Sequence, residues 1–200
     1  RRIPKSRIIN RVGKEKITIM AFGKAIKLNP QEETIINHTG EYALAAIVND
    51  QLESEDQDEY QRTSDTIFQQ MAKCRTTKIC YCLPSEICRV AKTYDLNVQL
   101  FNPNLPILSD DEAKEEIAKL SVVKSDTLEL LAKPEYTYYL LLVNQGRWIA
   151  IKRKSDKGLL DLYDPRSRAK KMFSAVGDLA TTQALTDHQV DGKTLIIAIK

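Results

Sequence analysis

Few side chains in this sequence can act as a nucleophile or a base. There are four cysteines, at positions 74, 80, 82 and 88, and two histidines, His38 and His188. A thiol becomes a good nucleophile near neutral pH when an imidazole or other positive group favours its thiolate. One reading is therefore a cysteine-dependent hydrolase: a peptidase, deamidase or acyl transferase. It would use Cys74, Cys80, Cys82 or Cys88 with His38 or His188. The cysteine spacing does not match the paired C-x2-C knuckles of a zinc site. A metal centre on Cys80 and Cys82 would need two more ligands from a sequence holding only two histidines. Neither a metal nor a cofactor is expected. The plainer reading is four reduced, partly buried thiols. His38 reads as a surface or hydrogen-bonded residue. His188, flanked by Asp187, Gln189 and Asp191, reads as loop surface.

A second constellation is Thr39, Arg147 and Asp164. A threonine hydroxyl is a weak nucleophile without an adjacent base. Arginine cannot give up its proton near neutral pH, so Arg147 cannot serve as that base. Asp164 could pair with Arg147 in a bidentate ion pair, a structural clasp, if the fold implied by the resemblance described below brings them together. Thr39 reads chiefly as a helix N-cap, Trp148 as a core aromatic, and Asp164-Pro165 as a strand-ending turn.

The elements that must hold these residues can be read from hydrophobic periodicity. Thr39 precedes an apolar helix from Gly40 to Asp50, apolar around most of its girth and therefore central and buried. Ile67, Phe68, Met71 and Ala72 mark an amphipathic helix. Pro84 opens another, with Ile87, Val90 and Ala91 inward. Residues 97–101 alternate as a strand. Ser109-Asp110-Asp111-Glu112 resembles a capping box opening a helix to Leu120, and Ser125–Ala132 reads as a further helix. The last third changes character. Residues 137–143, 148–152 and 159–163 read as consecutive antiparallel strands, with turns at Gln145-Gly146 and Ser155–Gly158. Lys170–Ala175 reads as another strand and 194–199 as a final one. The stretch 176–187 has no clear period. Helices followed by a mostly antiparallel sheet form the α+β pattern. Residues 1–15 read as a basic arm, and 16–200 as a single domain beginning with a short strand at 16–22.

Composition narrows the classes. The 200 residues carry a net charge of +3, with 42% hydrophobic and 28% charged residues. This is the composition of a globular protein able to bury a core without disulfides. The charge is too small to argue for nucleic acid, which is not expected as a partner. The basic clusters at the start and at Arg166, Arg168, Lys170 and Lys171 read as solvated faces. No apolar run approaches the roughly 18 residues of a membrane span. No signal peptide is visible, and a cytosolic, reducing location, or delivery into a cytosol, is expected.

The order of elements, with Gly146-Arg147-Trp148 and Tyr163-Asp164-Pro165 in the late strands, resembles the papain-like cysteine hydrolase fold. It looks most like the C39-like peptidase and bacterial papain-like effector branch. In that family a cysteine starts the central helix, a histidine starts one late strand, and an aspartate or asparagine orients it. The segment matching the helix start is Thr39-Gly40-Glu41-Tyr42. The resemblance places Thr39 at the nucleophile position, Arg147 at the base and Asp164 at the orienting residue. The oxyanion-stabilising glutamine falls at Glu33, or at Gln31 with a two-residue slip. A carboxylate at Glu33 would repel an oxyanion. The implied cleft is lined by Gly40, Tyr42, Arg147, Trp148 and Asp164.

The first expectation is thus a catalytically degenerate papain-like domain that binds a protein or peptide, with a bacterial effector or toxin system as its setting. The active cysteine hydrolase above is one alternative. An unrelated α+β interaction or immunity protein is another.

Overall fold

The computed structural model describes residues 22, 38–52, 57–74, 81–105, 108–144, 146–154, 159–166, 169–174 and 179–200. The basic arm, the strand expected before Phe22, the oxyanion candidates Gln31 and Glu33, Cys80, and the turn at 155–158 lie outside the described residues.

The fold is α+β. Helices α1 (Thr39–Gln51), α2 (Gln57–Cys74) and α3 (Pro84–Lys92) come first. Strand β1 (Val98–Phe101), helix α4 (Asp110–Ala118), strand β2 (Val122–Val123) and helix α5 (Thr127–Ala132) follow. Then come β3 (Tyr138–Val143), β4 (Arg147–Arg153), β5 (Leu159–Asp164) and β6 (Ala169–Ser174). Helix α6 (Leu179–Asp187) and strand β7 (Ile196–Ile199) complete the order. The described strands form one sheet in the order β2-β1-β7-β3-β4-β5-β6. Only β1 and β2 pair in parallel; every other neighbouring pair is antiparallel.

Period-two alternation makes β3 the centre of the molecule. Tyr138, Leu140 and Leu142 point into the core shared with α1 and α3. Tyr139, Leu141 and Val143 point into the opposite core with Leu130 and Leu131 of α5 and Leu185 of α6. Every residue of β3 is buried, because helices cover both faces of the sheet. The turn from β3 to β4 passes through Gly146, whose φ of 93° is a left-handed conformation that glycine adopts without strain.

Helix α1 lies between the sheet and the other helices, touching β3, β4, β5, α2 and α3. Ala43, Leu44, Ala45, Ala46 and Ile47 are all buried, which explains its lack of a polar face. Each large aliphatic side chain buried here contributes roughly 1.5–3 kcal/mol. Three polar neighbours stay buried inside this apolar setting, Thr39, Glu41 and Asn49, and each has a hydrogen-bonding partner. The first two belong to the candidate site. No helix among the described residues is long and apolar enough to cross a membrane.

Candidate functional site

The start of α1 abuts the start of β4. Pairing between β4 and β5 reaches only to Ala150. The backbone N–H of Trp148 therefore needs an acceptor off the sheet, and it donates to Thr39 Oγ1 at 2.9 Å. This corrects the expectation of Thr39 as an N-cap. His38 holds the cap position without a side-chain cap bond, and Thr39 is the first helical residue. The Thr39 hydroxyl is spent on fastening the helix to the hairpin. Trp148 is a fully buried core aromatic, and its indole Nε1–H donates to the carbonyl of Cys82 at 2.8 Å.

Gly40 sits at the tightest point. A Cβ on residue 40 would lie 2.7 Å from Cys82 Cβ, 2.8 Å from Cys82 Sγ and 3.1 Å from Trp148 Cδ1. Only glycine lets the three segments meet this closely. Cys82, from the segment before α3, thereby reaches the N-terminal end of the central helix. Its thiol donates to Glu41 Oε2 at 2.7 Å, and Glu41 Oε1 faces His38 Nδ1 at 2.8 Å. Burial pushes the Glu41 carboxyl up, but the His38 and Cys82 hydrogen bonds outweigh it and hold it below the ordinary range. The positive end of the helix dipole also favours a carboxylate there. A carboxylate beside the thiol disfavours a thiolate. Tyr42, the next cleft candidate, is buried and packs edge-on against Phe68 with ring centroids 4.7 Å apart.

Asp164 ends β5 and is almost fully buried. Arg147 Nη1 lies 3.6 Å from Asp164 Oδ2, so the pair is a single long contact rather than the bidentate clasp expected. The reason is a competitor. His188 Nε2 lies 3.1 Å from the same oxygen, and His188 Nδ1 lies 2.8 Å from the carbonyl oxygen of Ala184. Asp164 Oδ1 accepts from the backbone N–H of Arg166 at 3.1 Å. His188 is thus buried and paired, not loop surface as its polar neighbours suggested. One signal could have found it: a histidine just past a helix end commonly engages the last carbonyls. Beside this cluster the Tyr163 hydroxyl is buried and has no hydrogen-bond partner among the described residues. Burial, with Tyr42 and Asp164 adding to it, pushes its pKa up, so it stays protonated.

The described cysteines do not assemble a thiolate site. Cys74, Cys82 and Cys88 are in no disulfide among the described residues. Burial is the main cause that pushes Cys88 up to about 11; Glu116 adds to the shift and Lys92 opposes it. Both nitrogens of His188 already face oxygens of Asp164 and Ala184. Among the described residues, no group of three or more His, Cys, Asp or Glu side chains is arranged to hold a metal ion.

The residues therefore form two groups and not the single cleft expected: Thr39, Gly40, Glu41, Tyr42, Cys82 and Trp148 meet on the sheet face that α1 covers, whereas Arg147, paired with Val143, shares the opposite face, where it meets Asp164 and His188. No family model matches the sequence, and no curated protein matches it.

Proposed function

We propose that this protein is a catalytically degenerate papain-like domain acting as a protein- or peptide-binding module. The observation that carries the reading is the chemistry at the three positions that the resemblance gives to nucleophile, base and orienting acid. They hold Thr39, whose hydroxyl meets the backbone of Trp148, and the Arg147 and Asp164 side chains, which lie 3.6 Å apart. Their side chains hold structure instead of a proton relay. Thr39 accepts from a backbone N–H. Arg147 can take no proton. Asp164 is engaged by His188 and the Arg166 backbone.

The alternative cysteine enzyme is disfavoured by the same chemistry. Cys82 is buried with its thiol on a carboxylate, and Cys88 is held protonated. Thiols outside any disulfide suit a reducing compartment such as a cytosol. A setting in a bacterial effector or toxin system follows from the resemblance alone.

The test is direct. Purified protein is incubated with fluorogenic amide and ester substrates, and its cysteines are labelled with iodoacetamide at pH 6. The expected outcome is no turnover above buffer and slow labelling throughout. Steady turnover, or rapid labelling of one cysteine at that mildly acidic pH, would end the reading.

A further inference from the structure

We infer that Arg147, held beside the shared Asp164–His188 pair, is a seat for a carboxylate, so that the ligand is the free C-terminus of a polypeptide or an acidic side chain. The inference rests on the binding-module reading and names the chemistry of what is bound.

The two ring nitrogens of His188 face acceptors only, the Ala184 carbonyl at 2.8 Å and Asp164 Oδ2 at 3.1 Å. His188 and Arg147 thus face the same oxygen of one carboxylate, at 3.1 Å and 3.6 Å. The nearer is His188.

Arg147 is left short of acceptors. Its side chain is only 15% exposed. Asn144, in the amide orientation that satisfies its neighbours, accepts from Arg147 Nη2 at 3.2 Å. The Nη1 contact to Asp164 is 3.6 Å, and Nε is buried without a hydrogen-bond partner among the described residues. A guanidinium has five donors in a planar fork that matches a carboxylate. Burying it with so few acceptors is costly, and an arriving carboxylate relieves that cost through charge-assisted bonds. A neutral amide could not supply the charge.

The experiment uses N-acetylalanine as the carboxylate probe and N-acetylalaninamide as its neutral twin. The single tryptophan gives one indole reporter signal, from Trp148, the residue next to Arg147. Its NMR shift is followed as each probe is added to the whole protein. Saturable movement is expected with the acid and none with the amide. Arg147→Gln should weaken acid binding about tenfold or more, and Arg147→Lys, which keeps the charge but not the fork, should weaken it less. Asp164→Asn should tighten binding about threefold or more, because it removes a competing carboxylate from the guanidinium. A thermal melt confirms that each variant is folded. If Asp164→Asn does not fold, the two Arg147 variants decide the question.

Equal response to acid and amide, unchanged binding in folded Arg147→Gln, or weaker binding in folded Asp164→Asn would each overturn the inference. Failure of the acid to bind overturns it too, and leaves the module reading with a partner recognised by other contacts. Catalytic turnover defeats the module reading whether or not the acid binds. The two failures are therefore distinct.

Discussion

The two ends of strand β4 make opposite use of a cation. At the C-terminal end, Asp50 accepts from the Tyr138 hydroxyl at 2.6 Å. The Lys152 ammonium lies 2.7 Å and 2.9 Å from its two oxygens. An acidic residue in the last helical turn opposes the helix dipole, and Lys152 compensates it. At the N-terminal end, Arg147 opens the same strand but meets its carboxylate at 3.6 Å, shared with His188. One ion pair is short and saturated. The other is long, contested and leaves donors unmet. Natural proteins tolerate unmet buried donors chiefly where a ligand, water or function answers for them. The short pair suits the Lys152 end to structure, and the proposal above puts binding at the Arg147 end.

Four substitutions would break or sharpen that contrast. The largest expected effect is Lys152→Met, which leaves Asp50 without its cation at an unfavourable helix end. It should cost about 2–4 kcal/mol in urea unfolding, and a loss below about half a kcal/mol, the level of an exposed pair, would show that the pair is ornamental. Gly40→Ala should cost about 1–3 kcal/mol through the clash with Cys82 and Trp148. Adding Cys82→Gly should recover part of that loss. Adding Cys82→Ala should not, since the Cys82 Cβ is itself an atom struck.

The third is a pH effect. The folded Glu41 carboxyl lies below its ordinary value, so its contribution is present above the unfolded pKa. That contribution disappears as pH falls through the folded value. Melting temperatures between pH 7 and pH 3 should therefore fall more steeply in the wild type than in Glu41→Gln. Parallel curves would remove Glu41 from the acid response. The smallest effect is expected for Arg147→Gln, whose stability should lie within about 1 kcal/mol of wild type. A loss matching Lys152→Met would erase the difference between the two ends of β4.

The sequence made the late hairpins legible because β3, β4 and β5 are apolar runs separated by turn residues. It made α1 legible because a helix without a polar face belongs in a core. It could not show β2, which has two residues and is defined by parallel pairing with β1. Nor could it place β7 between β1 and β3, since strand order depends on pairings distant in sequence. Helix α6 carried too weak a period to separate from a loop.

At the site, local pattern identified Thr39, Arg147, Trp148 and Asp164 as residues of interest. It mistook how Thr39 is used, because the Trp148 N–H that claims its hydroxyl lies 109 positions away. It offered Cys82 and His188 as candidate reactive groups but could not foresee their partners, Glu41 and Asp164, for the same reason. A thiol and an imidazole declare their partners only once the backbone has closed around them.

The position of β7 has a consequence for assembly. Among the described residues, β1 reaches β3 only through residues 196–199, which bond to both. Until that segment is made and inserted, the two halves of the sheet have no common border. Closing them demands a contact between remote stretches, the kind that slows folding. A cut or nick just ahead of Ile196 should therefore release two half-sheets with raw edges, and such edges invite aggregation.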